Sequence, residues 1–158
     1  MIRIGQGFDV HRFTEGNGVI LCGVEIEHDK KLEGWSDADC PVHALMDAIL
    51  GACGLDDIGH FFPPGDMRFK GASSLELLKT VMRTVSEKGY KFGNCDITIM
   101  AERPKIGPHI DEMKKALAEV IMTEEINIGI KATTTEKLGF CGREEGIAAL
   151  AVVLMTKD

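Results

Sequence analysis

The 158-residue chain is 44% hydrophobic and 27% charged, the composition of a single soluble domain that buries one core. Its formal net charge of −7 argues against a broad nucleic-acid-binding surface, and no apolar run reaches the roughly 18 residues of a membrane span, so an anionic ligand needs a local site. Cysteines 22, 40, 53, 95 and 141 are odd in number and lack C-x-x-C spacing, which argues against a disulfide framework or a zinc ribbon and for reduced thiols in a cytoplasm; the N-terminus also lacks signal-peptide blocks.

Arg3 to Phe13 alternates as a strand, which puts Asp9 and His11 on one face together with Gly5 and Gly7. Two glycines of one parity leave that face open to close approach by a backbone or a ligand. Val19 to Ile26 follows the Gly16-Asn17-Gly18 turn and reads as a second strand completing a hairpin. From Ser36 to Gly59 the pattern is a helix with Asp39 as N-cap, Pro41 in the first turn and Gly54 as the stop. Val42, Leu45, Met46, Ile49, Leu50 and Cys53 form its core face, and His43, Asp47 and Gly51 form a second, polar stripe.

Leu55 to Gly71 is long, punctuated by Gly and Pro and without periodicity, which marks a functional loop. Ser73 to Glu76 reads as a capping box opening a scaffold helix that ends near Gly89, with Leu75, Leu78, Met82 and Val85 buried. Tyr90 to Ala101 alternates as a strand with Cys95, Ile97, Ile99 and Ala101 on one side. Pro108 opens a third helix with Ile110, Met113, Leu117, Val120 and Ile121 inward, and Ile126, Ile128 and Ile130 give the next strand its core face. Ile147 to Met155 reads as a nearly all-apolar buried strand. Strands and helices without strict βαβ alternation indicate an α+β fold, a mixed sheet with helices packed on one face in one domain, residues 1–158.

Asp9 and His11 from a strand and His43 from a helix N-terminus make an Asp/His/His set that suits catalytic zinc, with a fourth position free. A surface ion pair between Asp9 and His11 and a hydrogen-bonded structural His43 are the alternative reading. Cys40 is a rival ligand at C-x-x-H spacing, or a small buried thiol at a helix start. Asp47, one turn from His43, is placed to orient its imidazole.

Together, Gly7-Phe-Asp-Val-His11, Ser36-Asp-Ala-Asp39 with His43, Asp57-Ile-Gly59, Phe69-Lys-Gly-Ala72, Pro104-Lys105, Lys131-Ala-Thr-Thr-Thr-Glu-Lys-Leu-Gly-Phe140 and Gly142-Arg143 resemble the 2-C-methyl-D-erythritol 2,4-cyclodiphosphate synthase family of the non-mevalonate isoprenoid pathway from end to end. The resemblance implies a phosphorus–oxygen lyase. Its substrate would be 4-diphosphocytidyl-2-C-methyl-D-erythritol 2-phosphate, whose 2-phosphate attacks the β-phosphorus and expels CMP. By matching positions, Asp9, His11 and His43 hold zinc, and Glu136 helps to hold magnesium or manganese. Thr134 and Trp35 stand at the catalytic positions. Substrate contacts are implied for Asp9, His11, Trp35, Ser36, Asp57, Ile58, Gly59, Phe62 and Asp66. A second group, Ala101, Pro104, Lys105, Ile106, Gly107, Thr133, Thr134, Thr135, Glu136, Phe140 and Arg143, is implied for the same substrate, with the cytidine pocket contributed by a neighbouring subunit of a homotrimer.

The chain departs from the family pattern at Trp35, where histidine is common, at Gln6, and in having Ser-Asp-Ala-Asp for Ser-Asp-Gly-Asp. An indole donates one N–H and is neither acid nor base, so at position 35 it can replace a hydrogen-bond donor only. A zinc-dependent phosphohydrolase and a non-catalytic trimeric isoprenoid-phosphate binder are the other readings. A hydrolase needs a residue poised to activate water, for which His60 is the one spare histidine in the matched motifs.

Overall fold

The computed structural model describes all 158 residues. The first and last strands, β1 (Ile2–Thr14) and β7 (Gly146–Lys157), lie side by side and antiparallel from Ile2 opposite Thr156 to Arg12 opposite Gly146. Around this pair stand β4 (Lys31–Leu32), β5 (Tyr90–Met100) and β6 (Ile128–Thr133), giving a five-stranded mixed sheet in the order β4-β1-β7-β5-β6 with only β5 and β6 parallel. The helices α1 (Cys40–Ala52), α3 (Ser74–Glu87) and α4 (Ile110–Ile121) cover one face, so the mixed α+β sheet read from the sequence is the one observed. Short helices α2 (Ile58–Phe61) and α5 (Gly139–Gly142) sit in the connecting loops.

The glycine parity of β1 has a definite use. A Cβ on Gly5 would lie 1.8 Å from the Ala48 carbonyl oxygen and one on Gly7 2.0 Å from that of Ala44, so α1 rests on β1 backbone to backbone. No other residue type permits that approach. Helix α1 is consequently buried on the alanine side as well as on the Leu45, Met46 and Ile49 side, and His43, Asp47 and Gly51 are its residues that are not fully buried.

Residues 19–26 do not form one strand hairpinned to β1. They fold into β2 (Val19–Leu21) and β3 (Val24–Ile26), paired only with each other, because Cys22 (φ 50°) and Gly23 (φ 76°) make a turn of left-handed backbone between them. Asp39 holds that turn, accepting the N–H groups of Cys22 (2.8 Å) and Gly23 (2.6 Å) while also capping α1 through Val42 N–H (3.3 Å). Burial and the neighbouring Asp37 charge push its carboxyl up to about 7, against the pull of the Gly23 and Cys22 donors.

Several apolar positions sit differently from their sequence pattern. Ile126 is solvent-exposed in a 3-10 turn (Glu125–Asn127) before β6, whereas Ile128 and Ile130 are buried. The stripe of α3 is centred on Leu78, Val81 and Val85, with Leu75 and Met82 only partly covered. The middle of β7 is buried on one face alone, since Leu150 and Val152 are exposed beside Ile4, Phe8 and Val10 of β1. This is an uncovered apolar patch on the sheet face opposite the helices.

Candidate active site

Three ligand atoms meet where β1 passes under the start of α1. Asp9 Oδ2 lies 2.9 Å from His11 Nε2 and 3.2 Å from His43 Nδ1, and the two ring nitrogens are 3.1 Å apart. Strand parity places Asp9 beside His11, and the glycine contact brings His43 down onto them. Asp9 Oδ2 is buried and has no partner apart from the two imidazole nitrogens beside it. His11 Nδ1 lies 2.7 Å from the Glu33 carbonyl, which only accepts, so Nδ1 carries the proton and Nε2 turns a bare lone pair to the cluster.

Such a set calls for a cation. Tetrahedral ligation with bonds of about 2.0–2.1 Å separates donor atoms by about 3.3 Å, close to the spacing found here. The donor set therefore fits a zinc-like ion. Without one a proton serves. Burial alone would raise the Asp9 carboxyl and lower the His11 imidazole, but their mutual hydrogen bond and charge, together with the contact of Asp9 to His43, bring Asp9 down to about 2 and His11 above its usual value.

Cys40 is not a fourth ligand. Its thiol donates to the Asp9 carbonyl (3.1 Å), and burial pushes its pKa far up, which leaves the small buried thiol as the correct reading. Asp47 does not orient His43: its carboxylate accepts Ile58 N–H at 2.9 Å and so anchors the start of α2. The partners of His43 Nε2 are two serines, Ser74 Oγ at 2.9 Å and Ser36 Oγ at 3.1 Å. Spacing could not reveal Ser74, which belongs to α3. The proposed capping box there is absent, as Ser73 makes no side-chain cap and Asp37 accepts the Ser74 N–H instead (2.9 Å).

The cluster forms one wall of a cavity of about 170 Å³ whose lining includes Trp35, Ser36, Met46, Ile58, Gly59, Phe62, Phe69 and Leu77. The sequence-derived residues Asp9, His11, Trp35, Ser36, His43, Ile58, Gly59 and Phe62 thus converge. Asp57 stands at the N-terminus of α2, accepting His60 N–H (3.1 Å). Trp35 differs from expectation in one respect. Its indole N–H donates to the Asp66 carbonyl (2.8 Å), which pins the 62–70 loop and commits the only donor the ring has. The Asp66 carboxylate is held by Arg68. His60 is exposed, lies 3.8 Å from Asp56 and does not line the cavity.

The second group of residues does not reach this cavity within one chain. Ala101 and Ile106 have core side chains, whereas Lys105, Gly107, Thr133, Thr134 and Glu136 are exposed at the ends of β5 and β6. Pro104 and Thr135 are half-buried there. Glu136 is not in the metal-capable cluster. Glu102, which the motifs did not single out, ties the two loops by accepting the N–H groups of Thr135 (3.1 Å) and Lys137 (3.0 Å). Phe140 and Arg143 line a neighbouring groove of about 980 Å³ with Phe8, Val10 and His11, so that His11 borders both this groove and the cluster cavity.

Comparison with known proteins supplies the family context. A model of the YgbB family matches residues 2–156. The chain is 58% identical over 153 residues to the 2-C-methyl-D-erythritol 2,4-cyclodiphosphate synthase of Porphyromonas gingivalis W83, covering 97% of this chain and 94% of that one. It is 54% identical to the enzyme of that name from Listeria innocua, covering 99% of this chain and all of the relative. Among solved structures, the bifunctional IspDF of Campylobacter jejuni superposes with a TM-score of 0.96 at 46% identity over 100% of this chain, which spans 43% of that longer one. The CDP complex of Plasmodium falciparum IspF superposes with a TM-score of 0.86 at 33% identity, covering 99% of this chain and 97% of that one.

Proposed function

Since the chain belongs to the YgbB family, we propose that it converts 4-diphosphocytidyl-2-C-methyl-D-erythritol 2-phosphate into 2-C-methyl-D-erythritol 2,4-cyclodiphosphate and CMP, in isoprenoid precursor synthesis. An oxygen of the 2-phosphate forms a bond to the β-phosphorus. The bond from that phosphorus to the bridging oxygen breaks, and the oxygen leaves with its electron pair on CMP, as in a phosphorus–oxygen lyase. The observation that carries this reading is the convergence of Asp9 Oδ2, His11 Nε2 and His43 Nδ1 on the wall of the cavity. Bound zinc at those atoms, with magnesium or manganese at Glu136, supplies the positive charge that lets like-charged phosphates meet.

The side chains do the positioning. Asp57 and the α2 N-terminus that Asp47 anchors offer a carboxylate and N–H groups to the erythritol end. Thr134 and Lys105 hold the departing CMP phosphate in line, alignment being most of what phosphoryl transfer demands. The attacking phosphate is already ionised and needs no base. This favours ring closure over hydrolysis, because Asp9, His11 and His43 are the titratable residues lining the cavity and all of them turn toward the cluster.

The working unit is a homotrimer with sites between subunits, in a cytoplasm. Support comes from the small cavity, below the roughly 300 Å³ at which sites for drug-sized ligands begin, from the uncovered apolar sheet face, and from the placement of Thr133 to Glu136 away from the donor cluster. Free, buried cysteines suit a reducing compartment. Phosphorus NMR of the protein with the cytidyl substrate tests the whole reading: CMP and a cyclic diphosphate should appear in equal amounts. Inorganic phosphate in place of the ring would establish the hydrolase, and binding without turnover the non-catalytic protein.

A further inference from the structure

Ser74 and Asp39 are the fully buried polar side chains of the chain, and Ser74 belongs to a helix whose first turn does not use its hydroxyl as a cap. The hydroxyl instead lies between the His43 Nε2 atom, 2.9 Å away, and the Asp37 Oδ1 atom, to which it is hydrogen-bonded. Asp37 is itself located by the N–H of Ser74 (2.9 Å) on Oδ2 and the N–H of Asp39 (3.2 Å) on Oδ1, and its own N–H goes to the Ala72 carbonyl (3.0 Å).

The direction of the protons from Asp37 to His43 follows from what each group can donate or accept. A carboxylate only accepts, so the Ser74 hydroxyl must donate to Asp37. With its single proton spent, Ser74 Oγ can only accept from the imidazole. His43 Nε2 must therefore carry hydrogen, which leaves Nδ1 bare and facing Asp9 and His11. Ser36 Oγ, 3.1 Å from the same nitrogen, can accept a share of that hydrogen bond.

We propose that Asp37, acting through the Ser74 hydroxyl, is a positioning residue that holds His43 in its Nε2–H tautomer and so keeps Nδ1 available as a metal ligand. The proposal rests on the assignment of Asp9, His11 and His43 as metal donors. His11 is held the same way by a backbone carbonyl, which no substitution can remove, whereas the device on His43 is built from two side chains.

Asp37→Asn is the decisive variant because it reverses the relay with little change of shape. The Asn carbonyl can keep the Ser74 N–H (2.9 Å) at the expense of the longer contact with the Asp39 N–H (3.2 Å), leaving its NH2 facing Ser74 Oγ, which turns the hydroxyl proton toward His43 Nε2. Nitrogen-15 NMR of the metal-free protein, labelled in histidine, should show His43 protonated at Nε2 in the parent. That population should shift toward Nδ1–H in Asp37→Asn. Zinc affinity measured by chelator competition should fall about 10- to 100-fold in Asp37→Asn and in Ser74→Ala, with circular dichroism unchanged. An unshifted tautomer in folded Asp37→Asn, or zinc affinity within about twofold of the parent in both variants, would overturn the proposal. Failure of the parent itself to take up zinc would instead strike the metal assignment, and the tautomer comparison would still decide the relay.

Discussion

Gly7 of β1 and Ala44 of α1 meet through their backbones, with a Cβ at Gly7 falling 2.0 Å from the Ala44 carbonyl oxygen. His43 is the neighbour of that alanine, and Asp9 follows Gly7 at the next position of the same parity. Gly7→Ala should therefore force the helix off the strand. We expect a loss of about 1–3 kcal/mol or more in denaturant titration, together with weakened zinc binding, because overpacking against backbone cannot be relieved by a rotamer change. Gly107→Ala, where nothing lies within 4 Å of the added methyl, is the control.

His43→Ala removes one of three donors. Metal analysis after equilibrium dialysis should show the zinc content falling from about one equivalent to a small fraction, since two protein ligands seldom hold the ion. A folded variant that keeps its full equivalent would relocate the site.

Trp35 carries a sharper expectation than its sequence position allowed. Its N–H belongs to Asp66, so Trp35→Phe should free the 62–70 loop rather than strip a donor from phosphate. One such bond is worth about 0.5–1.5 kcal/mol, so KM should rise several-fold with kcat nearly unchanged. A drop in kcat of about tenfold at unchanged KM would restore the phosphate-donor role.

Protons and metal compete at the cluster. The folded pKa of His11 lies above its ordinary value, so this group stabilises the metal-free protein below the usual histidine range and loses that contribution as pH rises through the folded pKa. Asp9, lowered from 3.8 to about 2, contributes above the usual carboxylate pKa and loses it as pH falls toward 2. A metal ion held by these donors would have to displace the His11 proton. Apparent zinc affinity should then rise with pH up to the His11 pKa and level off above it, with proton release on binding measurable by calorimetry in buffers of different ionisation enthalpy.

What the sequence made legible was periodic. Parity put Asp9 beside His11, and a helical stripe exposed His43, so the donor set could be read before any packing was known. Contacts across elements could not be read that way. Asp47 stands one turn from His43 yet reaches Ile58, because side chains on one stripe need not share a partner when a loop offers a free N–H. Ser74 reaches His43 from a helix 31 residues away. The turn at Cys22 and Gly23 likewise depends on a carboxylate 16 or 17 residues later, so the run 19–26 looked like one strand. Phe140 and Arg143, adjacent in motif to Glu136, line a neighbouring groove that borders the cluster cavity at His11.

The pairing of β1 with β7 sets a schedule for assembly. The strand that carries Asp9 and His11 is bordered on one side by the two-residue β4 and on the other by the final strand of the chain. A ribosome adding about 5–20 residues per second leaves that donor strand without its principal neighbour for several seconds after it emerges. The glycines that admit α1 are exposed for the same interval. A metal ion held by Asp9, His11 and His43 would meet all three donors together only after α1 has docked on the glycines of β1 and the sheet has closed.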